Sequence, residues 1–267
     1  MDLGLRGKTA AITGASKGIG FAIALELARE GVDLRLAARD GAALAAAAGK
    51  LKADNPVDVT THAVDLSDRG AREAFAASIA DVDILVNCAG AIPGGGLDQV
   101  DEDRWRAAWE LKLFGYIGIS RIVYGAMKRR RRGVIINVIG VGGLMTKASY
   151  ICGGANNAAL INFTQSLGGE SVRYGVRVVG VNPGPVDTER MQYLRDLERS
   201  TVPEADRAEW EKRYFVGMAY GRAARPDEVS GAVAFLASDR ASYVSGAMLT
   251  IDGGIVARAG APGDPLD

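Results

Sequence analysis

Short apolar runs alternate with stretches of helical spacing along most of this chain. Residues 8–13 (KTAAIT) form an apolar run ending in glycine, and 21–30 carry apolar positions at helical intervals. The alternation repeats with a run at 34–38, an Ala-rich helix over 41–52, a run at 57–64, a helix over 68–80 and a run at 83–88 (DILVNC). A long helical pattern spans 101–131. It is followed by the run 134–139 (VIINVI), a helix over 155–174, a sixth run at 177–181 and a seventh at 248–251. Continuous apolar runs suit strands buried on both faces, and intervening helices imply βαβ crossovers. The pattern predicts an α/β fold with a doubly wound parallel sheet of about seven strands covered by helices on both faces. Nothing linker-like divides 1–267, which reads as a single domain with a loose tail from Gly260. The least regular part, 189–220, is charged yet carries Tyr193, Leu197, Trp210, Tyr214, Phe215 and Tyr220. It follows the sixth strand, at the strand ends where such sheets bind ligands. It reads as a helical substrate lid or, equally, as a helix pair with an aromatic packing face.

Composition narrows the chemistry. Lys+Arg and Asp+Glu both number 32 in 267 residues, so the basic excess of a nucleic-acid binder is missing. The one histidine, His62, rules out a multi-His metal site and argues against a Ser-His-Asp triad. Two distant cysteines supply no disulfide framework; Cys88, at a strand end, and Cys152 read as structural thiols. No apolar run reaches the ~18 residues of a membrane span, and the N-terminus lacks the apolar segment of a secretory signal. A cytoplasmic protein with no membrane and no metal partner is expected. The basic run 128–132 (KRRRR) reads as a solvated helix end, with an acidic partner or a phosphate as the sharper alternative.

The strongest local signal is Thr13-Gly14-Ala15-Ser16-Lys17-Gly18-Ile19-Gly20, which follows the first strand and opens a helix. Glycines there let the backbone approach a pyrophosphate, and the helix N-terminus offers N–H groups to it. The second strand ends Ala38-Arg39-Asp40. With Ala38 where a ribose-binding carboxylate would stand, Lys17 and Arg39 favour a 2′-phosphate, hence NADP over NAD, although Asp40 works against this.

These residues resemble the short-chain dehydrogenase/reductase family over nearly the whole chain. Thr13 to Gly20 is similar to its TGxxxGxG loop, and Asp65-Leu66 to its adenine-contacting pair. Asn87-Cys88-Ala89-Gly90 is similar to its NNAG motif with the second Asn replaced. The segment 182–188 (NPGPVDT) resembles the one that holds the nicotinamide, and 221–254 resembles the family's C-terminal helix, strand and turn. The resemblance implies cofactor contacts from Gly14, Ser16, Lys17, Gly18, Ile19, Gly20, Arg39, Asp65, Leu66, Asn87, Ala89, Gly90, Asn157, Pro183, Gly184, Val186 and Thr188. It also implies that 1–267 is a single NAD(P)-binding domain with a Rossmann-type three-layer α/β/α sandwich fold, a bound nicotinamide nucleotide and an oligomer.

The family's catalytic Asn, Ser, Tyr and Lys are absent. Aligned on Ala158-Ala159-Leu160, their positions hold Lys112, Gly140, Gly153 and Asn157. Gly153 leaves a hole where a ring is expected, and Asn157 is able to bond a ribose without charge. Substitute acids in reach of the expected cleft are Tyr150, Lys147 and Lys112, each with packing or exposure as its plainer reading. Two function classes follow. One is an NADP(H)-linked oxidoreductase with a noncanonical site, acting on a small-molecule carbonyl or enoyl compound or a CoA thioester. The other is an inactive pseudo-oxidoreductase subunit paired with an active homologue, so homo- and hetero-oligomer both stand. On the first reading, restoring Gly140→Ser, Gly153→Tyr and Asn157→Lys together creates ordinary carbonyl reductase activity.

Overall fold

Strand and helix alternate because apolar runs buried on both faces pair with amphipathic segments that cover them. A computed structural model describes residues 2–200, 202–216 and 218–258; the tail from Gly260 and the side chains of Leu197 and Phe215 lie outside the described residues. The strands are β1 (Thr9–Thr13), β2 (Asp33–Ala38), β3 (Val59–Ala63), β4 (Ile84–Asn87), β5 (Gly133–Val138), β6 (Val176–Pro183) and β7 (Met248–Ile251). They form one sheet in the order β3-β2-β1-β4-β5-β6-β7, and all pairs are parallel. The order reverses between β1 and β4, which opens a crevice at their carboxyl ends.

Successive strand residues feed opposite layers. Ile12, Val86 and Ile136 join one buried cluster, and Ala11, Leu85 and Ile135 join the other. On the first face α1 (Gly18–Arg29) packs against α9 (Pro226–Ala237); on the second α3 (Arg69–Ser78) packs against α5 (Gly115–Arg130). The flanking α2 (Gly41–Asp54), α4 (Glu102–Trp109) and α6 (Ile151–Ser171) complete the layers; α7 (Glu189–Ser200) and α8 (Arg207–Val216) follow β6, and α10 (Ile255–Arg258) follows β7. The long helical pattern of 101–131 is not one helix: a single π turn, Glu110–Phe114, separates α4 from α5. A polar chain crosses the core, with Asn87 Nδ2 donating to Ser120 Oγ and Asn137 Oδ1, and Asn137 Nδ2 to Thr164 Oγ1.

The basic run is used inside the fold. Arg130 donates to the carbonyls of Ala80 and Val82, Arg132 meets Asp83 at 3.1 Å, and Lys128 stands 3.7 Å above the Tyr174 ring. These contacts tie the end of α5 to the amino ends of the strands, away from the crevice. No described helix is long and apolar enough to cross a membrane, and no metal-competent side-chain cluster is present among the described residues.

Candidate active site

Carboxylates start the flanking helices. Asp40, Asp68 and Asp101 accept from the N–H groups of Ala43, Ala71 and Arg104, capping α2, α3 and α4. Helix α1 has no side-chain cap, and its N-terminus opens into a cleft of about 710 Å³ at the sheet's switch point. Uncapped N–H groups with the positive end of the helix dipole suit an anion. The loop leading there requires glycine. Gly14 has φ +70°, and a Cβ on it would lie 2.9 Å from Ala89 Cα; one on Gly20 would lie 2.2 Å from the Gly14 carbonyl oxygen. Thr13 fixes the opposite loop, its Oγ1 accepting from Cys88 and Ala89 N–H at 2.9 and 3.1 Å. The cradle fits the pyrophosphate of a dinucleotide.

Gly14, Ser16, Lys17, Gly18, Ile19, Gly20, Arg39, Leu66, Ala89, Gly90 and Thr188 all line this cleft. Thr188 packs beside the glycine loop: a Cβ on Gly18 would touch its Cγ2 at 3.5 Å. Asp65, exposed beside Leu66, accepts from both Ser67 N–H and Oγ–H, and these bonds hold its carboxyl below the usual range. Asn87 is fully buried and braces the sheet beneath the Cys88–Ala89 loop. Pro183 closes β6, Gly184 N–H donates to Ile251 O, and Val186 bridges Ala224, all behind the lining.

The replaced positions form a cluster of their own. Lys112 lies in the π turn and is only 8% exposed. Its stem packs under Gly90, and its ammonium donates to Ile139 O at 2.7 Å and Asn157 Oδ1 at 2.9 Å. Burial pushes Lys112 down to about 8 and the adjacent Cys88 thiol up to about 12, so Cys88, half-buried in the cleft wall, stays protonated. Asn157 Nδ2 donates to Gly140 O at 3.3 Å. Each end of that amide thus makes one bond within the protein, leaving one N–H and one lone pair. Lysine and asparagine have exchanged helices relative to the resembled tetrad, and their polar ends still meet.

The hole expected at Gly153 is filled. A Cβ there would stand 2.0 Å from Tyr150 Cζ and 2.2 Å from its Cε1, so the ring lies across the glycine. A Cβ at Gly142 would stand 3.0 Å from Tyr150 Cε1 and 3.3 Å from Asn157 Nδ2, so ring and amide flank one point. Tyr150 begins α6, its N–H donating to Lys147 O at 2.9 Å, and it bridges Gly95. Lys147 itself is exposed and serves through its carbonyl. Burial raises the Tyr150 phenol above its usual value, and Arg190 pulls against that rise. Cys152 is buried with Ile92 and Ala108, and its carbonyl accepts from Trp109 Nε1 at 3.2 Å. His62 meets Phe75 edge-on at a centroid distance of 5.2 Å in β3, outside the cleft.

Arg72 escaped the sequence reading, as one cation in an otherwise ordinary helix. It is 5% exposed and donates to Leu66 O at 3.0 Å and Glu110 Oε1 at 2.9 Å. It thus ties the cleft wall at Leu66 to the π turn that carries Lys112. Gly118 admits it, since a Cβ there would stand 2.9 Å from Arg72 Nε. Arg72→Met is expected to cost on the order of 2 kcal/mol in denaturant unfolding, because it leaves Leu66 O and the Glu110 carboxylate without their donor. An unchanged midpoint would show the pair to be ornamental.

Comparison with known proteins agrees with this architecture. The chain is 32% identical over 252 residues to the 3-oxoacyl-(acyl-carrier-protein) reductase FabG of Chlamydia trachomatis, covering 93% of this chain and 97% of that protein. It is 34% identical over 255 residues to the galactitol 2-dehydrogenase (L-tagatose-forming) of Cereibacter sphaeroides, covering 94% and 95%. The structure of L-sorbose reductase from Gluconobacter frateurii, complexed with NADPH and L-sorbose, superposes with a TM-score of 0.88 at 30% identity, covering 96% of this chain and 99% of that one. The family model for short chain dehydrogenase matches residues 8–199. With the glycine cradle, the switch-point cleft and the sheet order in agreement, the chain belongs to the short-chain dehydrogenase/reductase family of oxidoreductases.

Proposed function

We propose that this protein is an NADP(H)-linked oxidoreductase of carbonyl or enoyl compounds whose acid is Tyr150 and whose buried cation is Lys112. The observation that carries this reading is the Tyr150 ring lying across Gly153 beside the Lys112–Asn157 pair. A nicotinamide nucleotide, when bound, supplies the hydride. Tyr150 is protonated at neutral pH like any phenol, burial disfavours the phenolate further, and it donates that proton to the substrate oxygen as charge develops there. Lys112 keeps positive charge behind the site, and Asn157 joins it to the Gly140 carbonyl. Lys17 and Arg39 in the cleft wall would hold a 2′-phosphate. Asp40 opposes this less than its position suggests, since one of its oxygens is occupied in capping α2. Helices α7 and α8 would form the lid. The test is NADPH oxidation against ketoses, 3-oxoacyl thioesters, free oxo acids and enoyl thioesters, with Tyr150→Phe as control. Arg39→Asp is expected to weaken NADPH binding about 10-fold or more by calorimetry while sparing NADH; equal losses for both would argue against NADP.

The engaged Asn157 amide favours a second reading, an inactive subunit paired with an active homologue. Turnover by the purified homo-oligomer removes it, and a stoichiometric homologous partner in native purification supports it.

The lysine also makes stability depend on pH. The folded chain releases the Lys112 proton near pH 8 and the unfolded chain near 10.5. Between those values the unfolded state holds more protons, so stability rises with pH there. The full effect is on the order of 3 kcal/mol, and Lys112→Met should abolish it. Thermal melts from neutral to alkaline pH compare the two; parallel curves would sink the assignment.

A further inference from the structure

We infer that Arg190 is a specificity residue that recognises the carboxylate of an oxo-acid substrate whose carbonyl lies at Tyr150. This rests on the oxidoreductase reading above. Arg190 stands in the first turn of α7 and lines the cleft. Its Nη2 donates to Ile92 O at 3.2 Å, across 98 positions of sequence. Ile92 is buried against Cys152, and Tyr150 packs on the same cluster. Gly95, in the same loop, donates its N–H to Ser149 O at 2.8 Å and bridges Tyr150. The guanidinium is therefore fastened to the loop after β4, which in turn pairs with the segment leading into Tyr150.

Its charge acts on the Tyr150 phenol from a distance. Among the described residues no carboxylate lies within ion-pair distance of Arg190, whereas its neighbour Glu189 faces Lys17 at 3.6 Å. An arginine held by one carbonyl bond keeps donors in the planar fork that matches a carboxylate. Of the other groups lining the cleft, Ala89, Gly90, Ala91 and Leu111 carry no side-chain charge, and Glu189 is turned to Lys17.

Two anions share this chemistry, a substrate carboxylate and a phosphate of the cofactor, and the experiment separates them. Straight-chain α-, β- and γ-oxo acids and their methyl esters are titrated into the NADP-loaded full chain, with the fluorescence of its three tryptophans, Trp105, Trp109 and Trp210, as the readout. Turnover with NADPH is measured in parallel. We expect at least one acid to bind about 10-fold or more tightly than its ester. Arg190→Met should erase that ratio by weakening the acid alone, Arg190→Lys should retain part of it, and NADPH affinity should not move. Acid-selective binding without turnover supports this inference while counting against the reductase reading. Equal binding of acid and ester by the wild type overturns it. So does a variant that loses NADPH affinity yet keeps the acid preference, which assigns Arg190 to a cofactor phosphate.

Discussion

Asn157→Lys is expected to destabilise the protein by about 3–5 kcal/mol, because it places a second ammonium against that of Lys112 in a buried site. One of the two amines must then lose its proton or leave. Lys112→Asn is expected to cost about 1–3 kcal/mol, since it removes the donor to Ile139 O and faces one amide with another. Combining the two regenerates a Lys–Asn pair with the partners on opposite helices. The double variant should therefore be more stable than Asn157→Lys alone, with a coupling of about 2–3 kcal/mol. Denaturant unfolding of the four proteins at pH 7 gives this number. Additive losses would mean that the two side chains do not act as a pair.

This pair shows where sequence reasoning reached and where it stopped. The sheet was legible because seven apolar runs separated by helical periods allow few other arrangements, and the glycine loop was legible because strand and helix frame it. Positions 112 and 157 were found by alignment with a family pattern, and each looked like a loss. That they compensate one another depends on the π turn at Glu110–Phe114, which sets the rotation of Lys112 toward Asn157. A π turn adds one residue to a helix without changing the apolar period enough to be seen, so 101–131 reads as one helix. Arg72 and Arg190 were hidden for a different reason. An arginine on a polar helix face looks the same whether it ends in solvent, in a carbonyl 98 positions away or buried against a half-exposed carboxylate. The basic run 128–132 drew attention by its density, yet Arg130 and Arg132 are engaged with Ala80, Val82 and Asp83 at the far end of the sheet.

Gly153→Ala is expected to lower turnover about 100-fold while leaving NADPH binding intact. A single methyl there has nowhere to go, standing 2.0 Å from Tyr150 Cζ and 2.5 Å from Cε2. The ring must swing off the glycine, moving the phenol away from Asn157, at an overpacking cost of about 1–3 kcal/mol. Tyr150→Phe should lose as much activity without that cost, because the ring stays and only the proton donor goes. If Gly153→Ala keeps full activity, or Tyr150→Phe does, then Tyr150 is not the acid. The same geometry reverses the expectation that Gly140→Ser, Gly153→Tyr and Asn157→Lys together restore an ordinary reductase. Gly140 has φ +117°, which a serine seldom adopts; Tyr150 occupies the place of the new ring; and the new lysine meets Lys112. Restoration needs two further changes, Lys112→Asn to remove the opposing cation and Tyr150→Ser to vacate the space. Gly153 and Tyr150 thus belong together as one device, and neither is interpretable when the other is left out.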